Sequence, residues 1–124
     1  MNENKKNIFI GFIVLALEII LFYYLWKNNI ILTALLLALS AVVLIKFSSK
    51  EEKVLYFVCF VLGPIFDLTL IPRGVWTYGN PTIYGVPIWI PFAYGLGTVM
   101  IVKIGNSIAK LISKDRREFG RSVA

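Results

Sequence analysis

The chain has 124 residues, of which 58% are hydrophobic, with a formal charge of +6, no histidine and a single cysteine, and its mean hydropathy is +0.77. Its apolar residues come in long runs and not in the one-sided stripes of a soluble helix, which excludes a soluble globular domain and reads as an integral membrane protein. Without an imidazole, and with Cys59 alone, no His-based metal or haem centre, thiolate cluster or internal disulfide is expected, and no cofactor.

A hydrocarbon core about 30 Å thick requires roughly 20 mostly apolar residues per helical crossing. Four segments of about that length are predicted, at 8–26, 30–47, 54–71 and 86–102. The first follows Lys5 and Lys6 as a secretory signal would, but it is long and ends in Phe22, Tyr23, Tyr24 and Trp26 without small residues for cleavage. It reads as a retained helix with an aromatic interfacial end. Asn28 and Asn29 turn the chain into helix two, where Ala34, Ala38 and Ala41 form a small-residue face suited to close helix packing. Residues 48–53 make a charged turn before helix three.

Between helices three and four lies a loop over 72–85 rich in Gly, Pro and aromatic residues. Loops of that length in a compact domain are often functional. Pro87 and Pro91 require helix four to begin around them, because proline is tolerated in a first turn and not in an interior. Beyond residue 102, Ile104, Ile108, Leu111 and Ile112 share one face, with Lys103, Lys110 and Lys114 on the other, snorkelling to headgroups. The expectation is an all-α, four-helix transmembrane domain over 1–112, followed by an irregular basic tail over 113–124.

Lys and Arg are retained in cytoplasmic loops. With the N-terminus inside, only Lys27 and Arg73 of the thirteen basic residues fall outside. Both termini are therefore expected in the cytoplasm, in a multi-pass protein of the cell membrane. The basic residues flank apolar segments and interleave with no stacking platform, so membrane lipids, and not nucleic acid, are the expected partners.

Two carboxylates stand where a charge costs on the order of 3 kcal/mol or more. Glu18 lies near the middle of helix one and Asp67 toward the outer end of helix three. At about 1.5 Å per residue their heights allow them to face each other across one site. Intramembrane carboxyls mark proton relays and ion paths, which makes both candidate catalytic residues; the alternatives are a hydrogen bond to a neighbouring helix for Glu18, and pairing with Arg73 or capping of the loop backbone for Asp67. Gly63 and Pro64 are expected to kink helix three beside Asp67. Arg73, Trp76, Tyr78 and Trp89 are the candidate ligand-binding residues, rigid aromatics on a Gly/Pro frame that can shape an apolar pocket or simply form an interfacial belt.

Phe66 and Asp67, then Gly74, Trp76 and Tyr78, then Gly85, Pro87 and the apolar stretch after it resemble the core signature of the lycopene cyclase domain proteins, small polytopic subunits of carotenoid biosynthesis. The wider set of carotenoid-biosynthesis-like small membrane proteins, with a Trp-x-Tyr and then a Pro-x-Trp-x-Pro pattern, is similar too. The resemblance covers 66–94 and implies a membrane-embedded site for an isoprenoid. Cyclases of that family place an acidic pair after the proline matching Pro87, where this chain has Ile88, Trp89 and Ile90; Asp67 and Glu18 would have to serve instead. By its embedded Glu18 and its size, the chain is also similar to the small multidrug resistance transporters, proton-coupled dimers that act on lipophilic cations. A third reading is a non-catalytic subunit of a membrane complex. The leading expectation is a binder of an isoprenoid-like lipid, assembled as a homo-oligomer or within a complex.

Overall fold

A computed structural model describes residues 2–123 and contains four helices, α1 (Glu3–Leu25), α2 (Asn29–Lys46), α3 (Lys50–Leu70) and α4 (Ile90–Val123), with a short 3-10 turn, Ile71–Arg73, opening the long loop. All four helices are long and apolar enough to cross a membrane. The all-α, four-span architecture is as expected, and the protein is a multi-pass membrane protein.

The helix starts are set by polar caps that lie outside the apolar runs. The Lys5 amide donates to Asn2 Oδ1 (2.8 Å) at α1, and the Ile31 amide donates to Asn28 Oδ1 (3.2 Å) at α2. Ser49 and Glu52 form a reciprocal capping box at α3, each side chain accepting from the other's backbone N–H. Most of the expected charged turn is therefore the first turn of α3. Pro64 sits inside α3 without ending it.

Helix α4 is the centre of the bundle. In its most apolar stretch 39% of residues are buried within the protein, against 11–22% for the other three helices, and α1, α2 and α3 all pack on it. Glycines set the approach. A Cβ at Gly11 would overlap Ile104, one at Gly63 would overlap the Tyr94 ring, and one at Gly95 would lie 2.9 Å from the Tyr56 ring. Glu18 faces Gly97, a full two turns along α1 from the Gly11–Ile104 contact, so α1 and α4 run antiparallel. The pairs Glu52–Lys103 and Asp67–Tyr94 give α3 the same antiparallel relation to α4. The core comprises Val14, Val43, Tyr56, Leu96, Val99 and Met100.

Three expectations about α4 are corrected. Helix α4 begins at Ile90, with Pro91 as its second residue, and does not end near residue 112: it continues through Val123, so the basic tail is helical. Its 34 residues span about 50 Å, well beyond the hydrocarbon core. The faces of its far half also differ from the expected ones, because Lys103, Ile104 and Ser107 are buried while Ile108 and Ile112 are exposed. Lys103 does not snorkel; it turns inward to an ion pair. Ala34, Ala38 and Ala41 lie on the exposed face of α2, leaving the small-residue stripe without a neighbour in the monomer.

Candidate site at the loop end of the bundle

The loop is held by two sets of hydrogen bonds. The first joins it to the α1–α2 turn. Asn29 Nδ2 donates to Thr82 Oγ1 (2.7 Å) and to the Asn80 carbonyl (3.0 Å), while its Oδ1 accepts from Trp89 Nε1 (3.1 Å). Asn80 Nδ2 donates in turn to the carbonyls of Lys27 (2.8 Å) and Trp26 (3.3 Å). The Trp26 ring lies against Gly79, where a Cβ would be 2.7 Å away. The Trp89 ring stacks on Phe22, with centroids 5.0 Å apart.

The second set joins the loop to the bundle interior. Asp67 is completely buried. Its Oδ2 accepts from the Tyr78 hydroxyl (2.8 Å) and its Oδ1 from the Tyr94 hydroxyl (2.9 Å), so one carboxyl ties α3, the loop and α4 together. Burial first, and then the bond to Asp67, hold the Tyr78 hydroxyl well above the ordinary phenol range. It is a neutral donor at physiological pH. The Trp89 ring meets Tyr78 edge-on at 6.4 Å.

Between these two attachments the chain makes a tight hairpin. Ile83 and Val86 exchange both backbone hydrogen bonds (3.0 and 2.9 Å). Tyr84 (φ 49°) and Gly85 (φ 84°) supply the two left-handed residues of a type I′ geometry, and the Tyr84 side chain stands 86% exposed. Beside it is an apolar groove of about 210 Å³, walled by Pro64 and Leu68 of α3 and by Ile83, Val86, Pro87, Ile88 and Pro91. A second cavity of about 230 Å³ is lined by Tyr78, Ile90, Ala93 and Tyr94. Asp67 itself lines neither.

Of the residues expected at one site, Asp67, Tyr78 and Trp89 come together. Arg73 and Trp76 do not join them: both are exposed, and Arg73 does not pair with Asp67. Glu18 belongs to a different polar cluster, beside Gly97 and within electrostatic reach of Tyr56, which Ser40 also approaches, with no hydrogen bond to Asp67. Its Oε1 is buried without a hydrogen-bond partner, as is Ser40 Oγ. The sequence reading missed Tyr94, Asn29, Asn80 and Thr82. Tyr94 stood at the edge of the aromatic-rich signature, and Asn29 read only as part of a turn.

No protein-family model, no curated protein and no solved structure matches the chain.

Proposed function

We propose that the protein binds an elongated apolar lipid, of the isoprenoid class, with one stretch of the chain seated in the groove between α3, the hairpin and the start of α4. The supporting observation is the groove itself, a nearly all-apolar furrow walled by proline rings and a positive-φ hairpin. A preformed wall loses little freedom on binding. At about 210 Å³ the furrow is smaller than the roughly 300–1,000 Å³ of pockets that enclose whole small molecules, so it grips a segment and leaves the rest of the ligand among the lipids. The signature from Asp67 through Pro87 favours an isoprenoid over a plain acyl chain.

Binding is favoured over turnover. Both Asp67 oxygens already accept from tyrosines, and the residue is fully buried and lines neither of the two cavities at this end; its role is to position Tyr78 and Tyr94. The cyclase-type acidic pair is absent, and a scaffold does not carry a family's chemistry without the residues that perform it. The exposed alanine face of α2 suits a second copy or another subunit.

The test is native mass spectrometry of the protein in mild detergent, with organic extraction of the same sample. An isoprenoid retained by the wild type and by Trp76→Ala, and lost when Leu68→Trp or Ile88→Trp fills the groove, supports the reading. Retention in the filled variants overturns it.

The unpartnered Glu18 oxygen favours a second reading, a proton-coupled carrier. A hydrophobic carbodiimide forms an N-acylurea only at a protonated carboxyl it can reach. Adduct formation at Glu18, suppressed by lipophilic cations and absent in Glu18→Gln, would support the carrier; labelling indifferent to such cations would count against it.

A further inference from the structure

At the end of the bundle opposite the loop, Lys103 is a lysine with a side chain only 5% exposed, 2.9 Å from Glu52 Oε2 and 3.1 Å from Oε1. Glu52 also caps α3 by accepting from the Ser49 amide. Taking both charges out of water is costly and seldom stabilises a fold on balance, and a lysine has three donors, of which one is bonded to Glu52 Oε1, while Oε2 is an ion-pair contact without a hydrogen bond. Lys103 and Glu52 form the common wall of two clefts of about 420 and 290 Å³ that also share Asn7 and Ser49.

The larger cleft is lined by donors of the kind that hold phosphoryl oxygens. Asn7 of α1 and Asn106, buried Ser107 and Lys110 of α4 surround Lys103, with Leu55 and Val102 on the apolar side. Glu51 stands on the same lining and offsets Lys110. Farther along α4 the balance becomes strongly positive. Lys110, Lys114 and Arg117 line a groove that leads out of the cleft, and with Lys103 they fall at offsets of 7, 11 and 14 residues, which places them on one helical face. The cleft lies where α4 passes from apolar to polar sequence, as a headgroup site requires.

We propose that this cleft is a phosphate site, with Lys103 as its floor and the Lys110, Lys114 and Arg117 face as its approach, and that it takes the phosphodiester of an anionic phospholipid. The apolar residues at its edge suit the glycerol and the start of the acyl chains. Lys103 serves both charges: it holds Glu52 in place, and through that carboxylate the start of α3, so headgroup occupancy and the fixing of the α3–α4 contact meet at one ammonium group.

The full chain in uncharged detergent is titrated separately with phosphatidylglycerol, phosphatidylcholine and inorganic phosphate, and adducts are counted by native mass spectrometry. Lys103→Gln leaves Glu52 unpaired and can fail to fold, so the variants are Lys110→Gln and Asn106→Leu, both at exposed positions of the lining. The expected result is one saturable phosphatidylglycerol site, not filled by phosphatidylcholine, weakened about tenfold by either variant, the scale of one charge-assisted contact. Lys53→Gln, at the same end but outside the clefts, should leave it unchanged. A phosphate adduct without lipid retention, weakened by the same variants, supports the site and identifies a soluble phosphate compound as its ligand. No adduct of either kind overturns the proposal, as does a loss in Lys53→Gln equal to that in Lys110→Gln.

Discussion

Tyr94 on α4 reaches Asp67 on α3 at 2.9 Å because its ring crosses α3 at Gly63, one turn before the carboxylate, where any side chain would collide with it. The close approach and the hydrogen bond are one feature, and Tyr78 closes it from the loop side at 2.8 Å.

Removing one donor from a buried carboxylate costs on the order of 1–3 kcal/mol. Tyr94→Phe and Tyr78→Phe should each lower thermal stability in detergent by about that much. Asp67→Asn should cost a similar amount, since an amide nitrogen replaces one acceptor. Because the three side chains form one network, the double variant Asp67→Asn/Tyr78→Phe should cost clearly less than the two singles together. Additive losses would show that the network is not formed.

The glycines of α3 and α4 separate by the same logic. Gly63→Ala forces the Tyr94 ring aside, and overpacking of this kind costs about 1–3 kcal/mol. Gly105 has nothing within 4 Å of a built Cβ, so Gly105→Ala should be neutral or stabilise by up to about 1 kcal/mol through helix propensity. In the same detergent the melting temperature of Gly63→Ala should fall, and that of Gly105→Ala should hold or rise.

Hydrophobic runs of membrane length made the four helices legible, since a bilayer imposes a length that composition alone satisfies. Their ends were less legible because caps such as Asn2 and the Ser49–Glu52 box are polar and lie outside the runs. The rotation of α4 was misread for a related reason. An isoleucine in a membrane protein gains nothing by turning inward, so Ile108 and Ile112 could face out while Lys103 turned in to Glu52. Asp67 and Tyr78 could be singled out as polar groups in an apolar setting. Asn29 could not, because its three loop contacts join residues 51–60 positions apart, and nothing local records such a pairing.

That clasp gives the next expectation. Asn29→Ala removes the partner of Asn80, Thr82 and Trp89 at once, while α2 keeps its Asn28 cap. The helices should therefore remain intact and the loop should open locally. Hydrogen exchange at Ile88, whose amide donates to Thr82 Oγ1 at 3.3 Å, should accelerate at least tenfold, with little change in α2. Uniform acceleration across the bundle would instead make Asn29 a global stability residue.

Alkaline pH tests the Tyr78 arm. Burial and the bond to Asp67 raise this hydroxyl above the phenol range, whereas in the unfolded chain it titrates near 10. A raised folded value means that the native state holds its proton more tightly. The associated stability is present in full below about pH 10 and is lost as pH rises toward the folded value, because the unfolded state sheds the proton first. Stability in detergent should accordingly be flat with respect to Tyr78 from neutral pH to about 10 and decline above it. Tyr78→Phe should start lower and decline less steeply over the same alkaline range. Parallel profiles for the two proteins would mean that Tyr78 titrates as an exposed phenol and that its bond to Asp67 is not made.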